Sequence, residues 1–99
     1  MLNISKNVEN GKALIALEGR LDTVTAPELE KMLQETLPGL EELVLDFEKL
    51  DYISSAGLRV LLAAHKTMAK QGTMQVTNVN EMIMEIFEVT GFSGILNIG

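Results

Sequence analysis

The sequence predicts an α/β domain built on a mixed β-sheet, and two observations support this prediction. Two strand-like segments at the start of the chain are joined by Asn10-Gly11, a dipeptide that favours a tight hairpin because both residues tolerate positive φ. Helix-like and strand-like segments then alternate, which places parallel strands in the central part of the sheet. The 99 residues, of which 46% are hydrophobic, fit one domain over residues 1–99 with a packed core.

The first two strands and the first helix are predicted from the spacing of their apolar residues. Apolar and polar residues alternate over residues 2–8, which is typical of a half-exposed strand. Residues 12–18 are apolar almost throughout, so we expect the return strand to be buried on both faces. Thr25 and Glu28 have the spacing of a capping box around a first-turn proline, and a helix is predicted from there to Leu37.

A third strand and a second helix follow. The short apolar segment 43–47 is typical of a central strand that is covered on both faces. A polar loop is expected over residues 48–51. The second helix begins near Ser55 and ends before Gly72, which is well placed to stop it.

The C-terminal part of the chain continues this alternation. Polar and apolar residues alternate over residues 73–77 and predict a further strand. Asn78 or Asn80 can cap a last helix, which Gly91 ends. Residues 94–98 can add a final short strand.

Composition and charge exclude several classes of function. The net charge of −6 makes nucleic acid an unfavourable partner, because an acidic surface repels phosphate backbones. The chain has no cysteine, which removes disulfides, thiolate metal sites and cysteine nucleophiles. It also has no histidine pair and no glycine-rich loop with a lysine, so we expect neither a metal nor a cofactor. The chain lacks a signal-like start and any apolar run long enough for a bilayer, which predicts a cytoplasmic protein without a membrane partner.

The one histidine argues against an enzyme. His65 lies ten residues after Ser55 on the same predicted helix. That spacing separates the two by about 15 Å along the axis and excludes a hydrogen-bonded serine–histidine pair. Neither Ser54 nor Ser55 has the upstream glycine of a nucleophile elbow. We therefore expect a non-enzymatic protein in which His65 is a packed or half-exposed helix residue.

The segment 52–62, which contains Ser54-Ser55-Ala56-Gly57, remains as the candidate site. Its helix is expected to begin at the carboxyl edge of the sheet, where open α/β sheets usually place their sites. Either serine can cap this helix through its hydroxyl. Ala56 and Gly57 leave the surroundings uncrowded, so another protein could approach the backbone.

Phosphorylation of such a serine would change what the surface binds without unfolding the domain. A phosphate adds a charge of roughly −1.5 to −2, and a helix N-terminus favours a nearby anion by about 0.3–1 kcal/mol. Asp22, Glu48 and Asp51 would add to the repulsion of an acidic partner if their loops converge. The serines could equally act as a helix cap alone, and the chemistry of the residues leaves both interpretations open.

Residues 50–62 resemble the signature of STAS domains, specifically that of the bacterial anti-sigma factor antagonists. Residues 19–22 resemble the turn that follows the second strand in this family, residues 26–29 resemble the start of its first helix, and residues 91–95 resemble its closing segment. The resemblance covers nearly the whole chain in the right order. It implies the STAS fold, a four- to five-stranded mixed β-sheet packed against about four α-helices.

The same resemblance implies a partner-switching cycle. The unphosphorylated antagonist binds an anti-sigma factor that is itself an ATP-dependent serine kinase, and so releases a sigma factor to permit transcription. The kinase then phosphorylates the antagonist and breaks the complex, and a PP2C-type phosphatase restores it. The family's acceptor serine falls on Ser55, and Asp22 matches an aspartate that the family places beside the acceptor. The residues implied in partner binding are Asp22, Thr23, Ser54, Ser55, Ala56, Gly57, Leu58 and Arg59.

The chain departs from the family pattern on both sides of the acceptor. Many members have an aspartate before the acceptor, where this chain has Ser54, which makes Ser54 a rival acceptor. Many have a serine or threonine after it, where this chain has Ala56. Arg59 lies at the i+4 spacing from Ser55, so it either contacts the partner or the phosphate or is an ordinary surface arginine.

Other functions of the same fold remain open. A STAS subunit of a phospholipid ABC transporter would use the same surface as a permanent assembly contact that is never phosphorylated. An unrecognised enzyme or nucleotide-binding protein is a third possibility, which the lack of a phosphate loop and a base disfavours. The chain is expected to be a monomer when free.

Overall fold

The computed structural model describes residues 2–99, and over these residues strands and helices alternate as the sequence predicts. The strands are β1 (Leu2–Glu9), β2 (Lys12–Leu21), β3 (Glu42–Ile53) and β4 (Thr73–Thr77), and the helices are α1 (Ala26–Thr36), α2 (Ser55–Ala69) and α3 (Glu81–Thr90). The described residues thus contain three α-helices and a short 3₁₀ turn, Phe92–Gly94, where the resemblance implied about four helices. The α/β class is confirmed.

The described strands form one mixed sheet in the order β1-β2-β3-β4. Strands β1 and β2 are antiparallel, and the Asn10-Gly11 turn between them has positive φ at both residues, 52° and 78°, as predicted. The pairs β2–β3 and β3–β4 are parallel. The expected final strand is reduced to a single parallel bridge between Val76 and Ile98.

Strand β3 is longer than predicted, and the loop expected over residues 48–51 does not form. The strand continues to Ile53 because residues 49–53 pair with residues 18–21 of β2, with one shift in register before this segment and one within it. This pairing satisfies backbone groups that a loop would leave to water, and it buries Leu50 and Ile53. The strand therefore leads directly into α2 without a crossing loop.

The predicted burial of β2 and β3 on both faces is wrong. On β2 the side chains alternate, with Ile15 buried and the neighbouring Leu14 47% exposed. On β3 the pattern is similar, since Leu45 is buried while Val44 and Asp46 are only half-buried. A sheet that begins with an antiparallel hairpin can leave one face to water, whereas the apolar composition alone suggested two covered faces.

The core lies on the covered face of the sheet. It is mainly aliphatic, with one aromatic pair in which the rings of Phe47 and Phe87 are tilted by 43° with centroids 6.4 Å apart. Helix α3 joins this core and has the predicted ends. The Asn80 side chain accepts a hydrogen bond from the amide of Ile83 at 2.9 Å, and Gly91 stops the helix with φ 83°.

Gly72 has a different role from the helix stop that was predicted. Helix α2 ends at Ala69, and the amide of Gly72 donates to the Met68 carbonyl at 2.7 Å. A side chain on Gly72 would overlap the backbone carbonyl of Glu41, just before β3. The glycine therefore permits the close approach of two backbone segments.

Replacing Gly72 with alanine should destabilise the protein by about 1–3 kcal/mol, because the clash is with backbone and not with a flexible side chain. Gly94→Ala is the matched control, since a β-carbon at Gly94 meets nothing within 4 Å. Urea unfolding of both variants measures the difference. Equal stability of the two variants would contradict the close approach at Gly72.

Candidate functional site

The carboxyl ends of β2 and β3 lie side by side at one edge of the sheet. The amide of Ser54 donates a hydrogen bond to the carbonyl of Leu21 at 2.8 Å. This bond places the turn after β2, residues 22–25, next to the first turn of α2. Helix α2 therefore begins at the carboxyl edge of the sheet, where the sequence predicted its start.

Ser54 and Ser55 have different roles at the start of α2. Ser54 is the N-cap residue, it is half-buried, and its hydroxyl accepts from the amide of Gly57 at 3.4 Å. Ser55 is the first residue of the helix and is exposed. Among residues 2–99 the Ser55 hydroxyl has no hydrogen-bond partner, and its exposed side chain faces solvent at the positive end of the helix.

This difference predicts unequal effects of the two serines on stability. Ser54→Ala should cost about 0.5–1 kcal/mol, the lower part of the range for an N-cap, because its hydrogen bond is long. Ser55→Ala should change the free energy of unfolding by less than about 0.5 kcal/mol, because its side chain is exposed. Thermal and urea unfolding of the two variants provide the measurement. A greater loss in Ser55→Ala would reverse the assignment of the cap.

Gly57 and Leu58, in the first turn of α2, pack against the core of the protein. A β-carbon on Gly57 would lie 2.8 Å from side-chain carbons of both Leu21 and Ile53, so the glycine lets α2 approach the ends of β2 and β3. Leu58 is only 7% exposed and belongs to the core. The resemblance grouped both residues with the partner-binding set, but their burial directs them inward, and the room expected around Gly57 is filled by the protein itself.

The turn after β2 is fixed by side-chain hydrogen bonds. A carboxylate oxygen of Asp22 accepts from the amides of Val24 and Thr25 at 3.0 and 3.1 Å. The Thr25 hydroxyl donates to the carbonyl of Arg20 and accepts from the amide of Asp22 at 2.8 and 2.9 Å. The capping box predicted for Thr25 and Glu28 is therefore wrong, because the Thr25 hydroxyl turns back to β2 and makes no bond to the helix amides.

The Asp22 carboxylate is held in its charged form. The hydrogen bond from the Thr25 amide, followed by that from the Val24 amide and the nearby Arg20 guanidinium, lowers the pKa of Asp22 despite partial desolvation. The Arg20 Nε lies 3.8 Å from the Asp22 carboxylate. A negative charge therefore stands on the turn beside the start of α2.

Sequence reasoning missed two residues of this edge. The guanidinium of Arg20 lies 4.5 Å from the ring centre of Tyr52, its partner across the β2–β3 pair. Arg20 and Tyr52 are opposite each other only because the register between β2 and β3 shifts, and the sequence alone does not reveal that shift. Val24 is 81% exposed, and the signal for it in the sequence is a valine between two threonines in a turn.

Some of the remaining candidate residues lie at the edge where β2 and β3 end, and others lie away from it. Thr23 and Arg59 are exposed, Ala56 is half-buried, and all three lie on the two segments that meet at this edge. Asp51 is exposed near the end of β3. Glu48 is five residues before Ile53, roughly 17 Å back along the strand, so it does not converge on Ser55.

His65, the one histidine of the sequence, lies too far from Ser55 to act as its general base. His65 is half-buried within α2, ten residues after Ser55 and about 15 Å further along the helix. Among residues 2–99, no three acidic, histidine or cysteine side chains are grouped so that they could hold a metal ion. Within the same residues, every helix is too short or too polar to cross a membrane.

These features define a class of protein, a small α/β domain with an exposed serine at a helix N-terminus beside an acidic turn that is held by hydrogen bonds. The sequence matches the STAS domain family over residues 3–99. The chain therefore belongs to the STAS domain family, as the motif in residues 50–62 indicated.

Individual relatives agree with this membership. The chain is 35% identical over 91 residues to BtrV of Bordetella bronchiseptica, and the match covers 90% of this chain and 78% of BtrV. It is 25% identical over 99 residues to the anti-sigma-B factor antagonist of Staphylococcus aureus, over 98% of this chain and 92% of that protein. An anti-sigma factor antagonist from Mycobacterium paratuberculosis has the same fold, with a TM-score of 0.89 at 21% identity over 99% of this chain and 85% of that one. The Bacillus cell fate determinant SpoIIAA in its phosphorylated form superposes with a TM-score of 0.76 at 16% identity, covering 98% and 91% of the two chains.

Proposed function

We propose that this chain is an anti-sigma factor antagonist whose binding is switched off by phosphorylation of Ser55. In its unphosphorylated form it binds an anti-sigma factor and so releases a sigma factor. The observation that carries the proposal is the exposed Ser55 at the first position of α2, beside the charged Asp22 turn. The Staphylococcus aureus relative, which is named as an anti-sigma-B factor antagonist, supports the same function.

Ser55 is a better acceptor than its rival Ser54 on physical grounds. A kinase must reach the hydroxyl, and Ser55 is exposed while Ser54 is half-buried. The Ser54 hydroxyl also caps the helix, so its modification would remove a hydrogen bond that the fold uses. Phosphate on Ser55 leaves this cap in place.

A phosphate on Ser55 is tolerated by the fold because it lies at a helix N-terminus, while it greatly increases the negative charge of the surface. A phosphoserine adds about −1.5 to −2 charges at a helix end that favours anions. Asp22 on the adjoining turn is ionised at neutral pH, so the two negative groups together oppose an acidic or apolar partner surface. We propose that the contact surface comprises the accessible members of the predicted set: Asp22, Thr23, Ser54, Ser55, Ala56 and Arg59.

The proposed partners follow from this cycle. The anti-sigma factor is also the ATP-dependent serine kinase, and a PP2C-type phosphatase returns the antagonist to its binding form. The chain acts in the cytoplasm as a single domain and a monomer. It works by binding and not by catalysis, without a cofactor, a nucleic acid or a membrane. The distance of His65 from Ser55 supports this non-enzymatic role.

A displacement assay tests this function. The purified chain is added to a complex of the anti-sigma factor and its sigma factor, and free sigma factor is measured by size-exclusion chromatography. The unphosphorylated chain should release the sigma factor, and the same chain phosphorylated at Ser55 should not. A chain that leaves the complex intact and instead co-purifies with the components of a phospholipid transporter would contradict the proposal and favour a permanent assembly role.

A further inference from the structure

Val24 is an apolar side chain exposed to solvent on the turn that carries Asp22 and Thr23 of the proposed contact surface. It is 81% exposed, whereas Leu21 and Ala26 on either side of the turn are 0% and 3% exposed. An exposed valine on a surface is ordinary by itself. Its position matters here because the surrounding turn is rigid and because Ser55 lies on the adjoining segment.

The hydrogen bonds of the turn fix the backbone on both sides of Val24. Its own amide donates to the Asp22 carboxylate at 3.0 Å, and the following amide, that of Thr25, donates to the same oxygen at 3.1 Å. The amide of Ala26 donates to the Asp22 carbonyl at 2.8 Å. Since the backbone is already ordered, burying this side chain against a partner costs little conformational entropy.

The turn is also tied to the switch residue. The carbonyl of Leu21 accepts from the amide of Ser54, one residue before Ser55, at 2.8 Å. The Leu21 side chain lies against Gly57 in the first turn of α2. A protein that covers Ser55 from the side of β2 therefore meets Val24 as part of the same surface.

We infer that Val24 is the apolar anchor of the contact with the anti-sigma factor, seated in a small apolar depression on that partner. The inference rests on the proposed function and adds a residue that determines affinity. The surface then has two parts, an uncharged anchor at Val24 and a charge-sensitive part at Ser55. Phosphorylation acts on the second part and leaves the first unchanged.

The test compares two valines of equal exposure. Val24→Thr keeps the shape of the side chain and replaces one methyl by a hydroxyl; Val89→Thr makes the same change on α3, where the valine is also 81% exposed. Binding of the unphosphorylated variants to the anti-sigma factor is measured by surface plasmon resonance. Val24→Thr should weaken binding roughly tenfold, mainly through faster dissociation, and Val89→Thr by less than about twofold.

A second variant, Val24→Ala, separates lost contact from a disturbed turn. It should weaken binding to a similar degree, and all three variants should unfold within roughly 3 °C of the parent protein. Equal affinities of Val24→Thr and Val89→Thr would overturn the inference while leaving the proposed function standing. If the parent protein does not bind the anti-sigma factor at all, the proposed function fails instead.

Discussion

Ser55→Asp should weaken binding to the anti-sigma factor by roughly 100-fold, or about 2.7 kcal/mol, because a carboxylate at this position must be desolvated beside the charged Asp22 turn. The fold should be preserved, since an added negative charge near a helix N-terminus is favourable by about 0.3–1 kcal/mol. Isothermal titration calorimetry gives the affinity, and thermal unfolding gives the stability. The combination of lost binding and retained stability is the expected signature of a switch.

The control for this substitution is Ser55→Asn, which has nearly the same size as aspartate and no charge. It should retain binding to within about tenfold of the parent, because the exposed site accepts a small polar side chain. If asparagine weakens binding as much as aspartate, the effect is steric and the charge mechanism fails. A large loss of stability in Ser55→Asp would instead make Ser55 a structural residue.

The second large effect is expected at Leu21, beneath the site. Leu21→Ala should destabilise the protein by about 2–5 kcal/mol, because the side chain is fully buried and its removal leaves a cavity between β2, β3 and the first turn of α2. The free energy of unfolding from urea denaturation measures this loss. Domains of this size are stable by only about 5–15 kcal/mol, so a considerable fraction of the variant could be unfolded at 37 °C.

Leu14→Ala is the matched control on the same strand. Leu14 is 47% exposed on the open face of β2, so its truncation should cost less than about 1 kcal/mol. Similar losses at Leu14 and Leu21 would mean that both faces of β2 are covered. That result would contradict the one-sided core described for the sheet.

Much of the fold was predictable because its signals are local. The Asn10-Gly11 hairpin, the Asn80 cap and the Gly91 stop each depend on backbone preferences of one or two residues. The alternation of strands and helices is likewise visible in the apolar periodicity. The same applies to Ser55, whose position at the start of α2 follows from the helical spacing after it.

What could not be predicted depends on contacts between distant segments. The extension of β3 to Ile53 arises from two register shifts against β2, and the sequence of β3 contains no signal for its partner's register. The open face of the sheet depends on where the helices pack, which the apolar run around Leu14 does not reveal. Thr25 had the right spacing for a cap but found closer partners at Arg20 and Asp22.

The proposed phosphorylation of Ser55 by the anti-sigma factor is tested most directly by phosphosite mapping. The chain is incubated with the candidate kinase and ATP, and the modified residue is located by tandem mass spectrometry in the parent, Ser54→Ala and Ser55→Ala proteins. We predict one phosphate on Ser55, normal labelling of Ser54→Ala and loss of labelling in Ser55→Ala. A phosphate on Ser54 or elsewhere, or normal labelling of Ser55→Ala, would contradict the assignment.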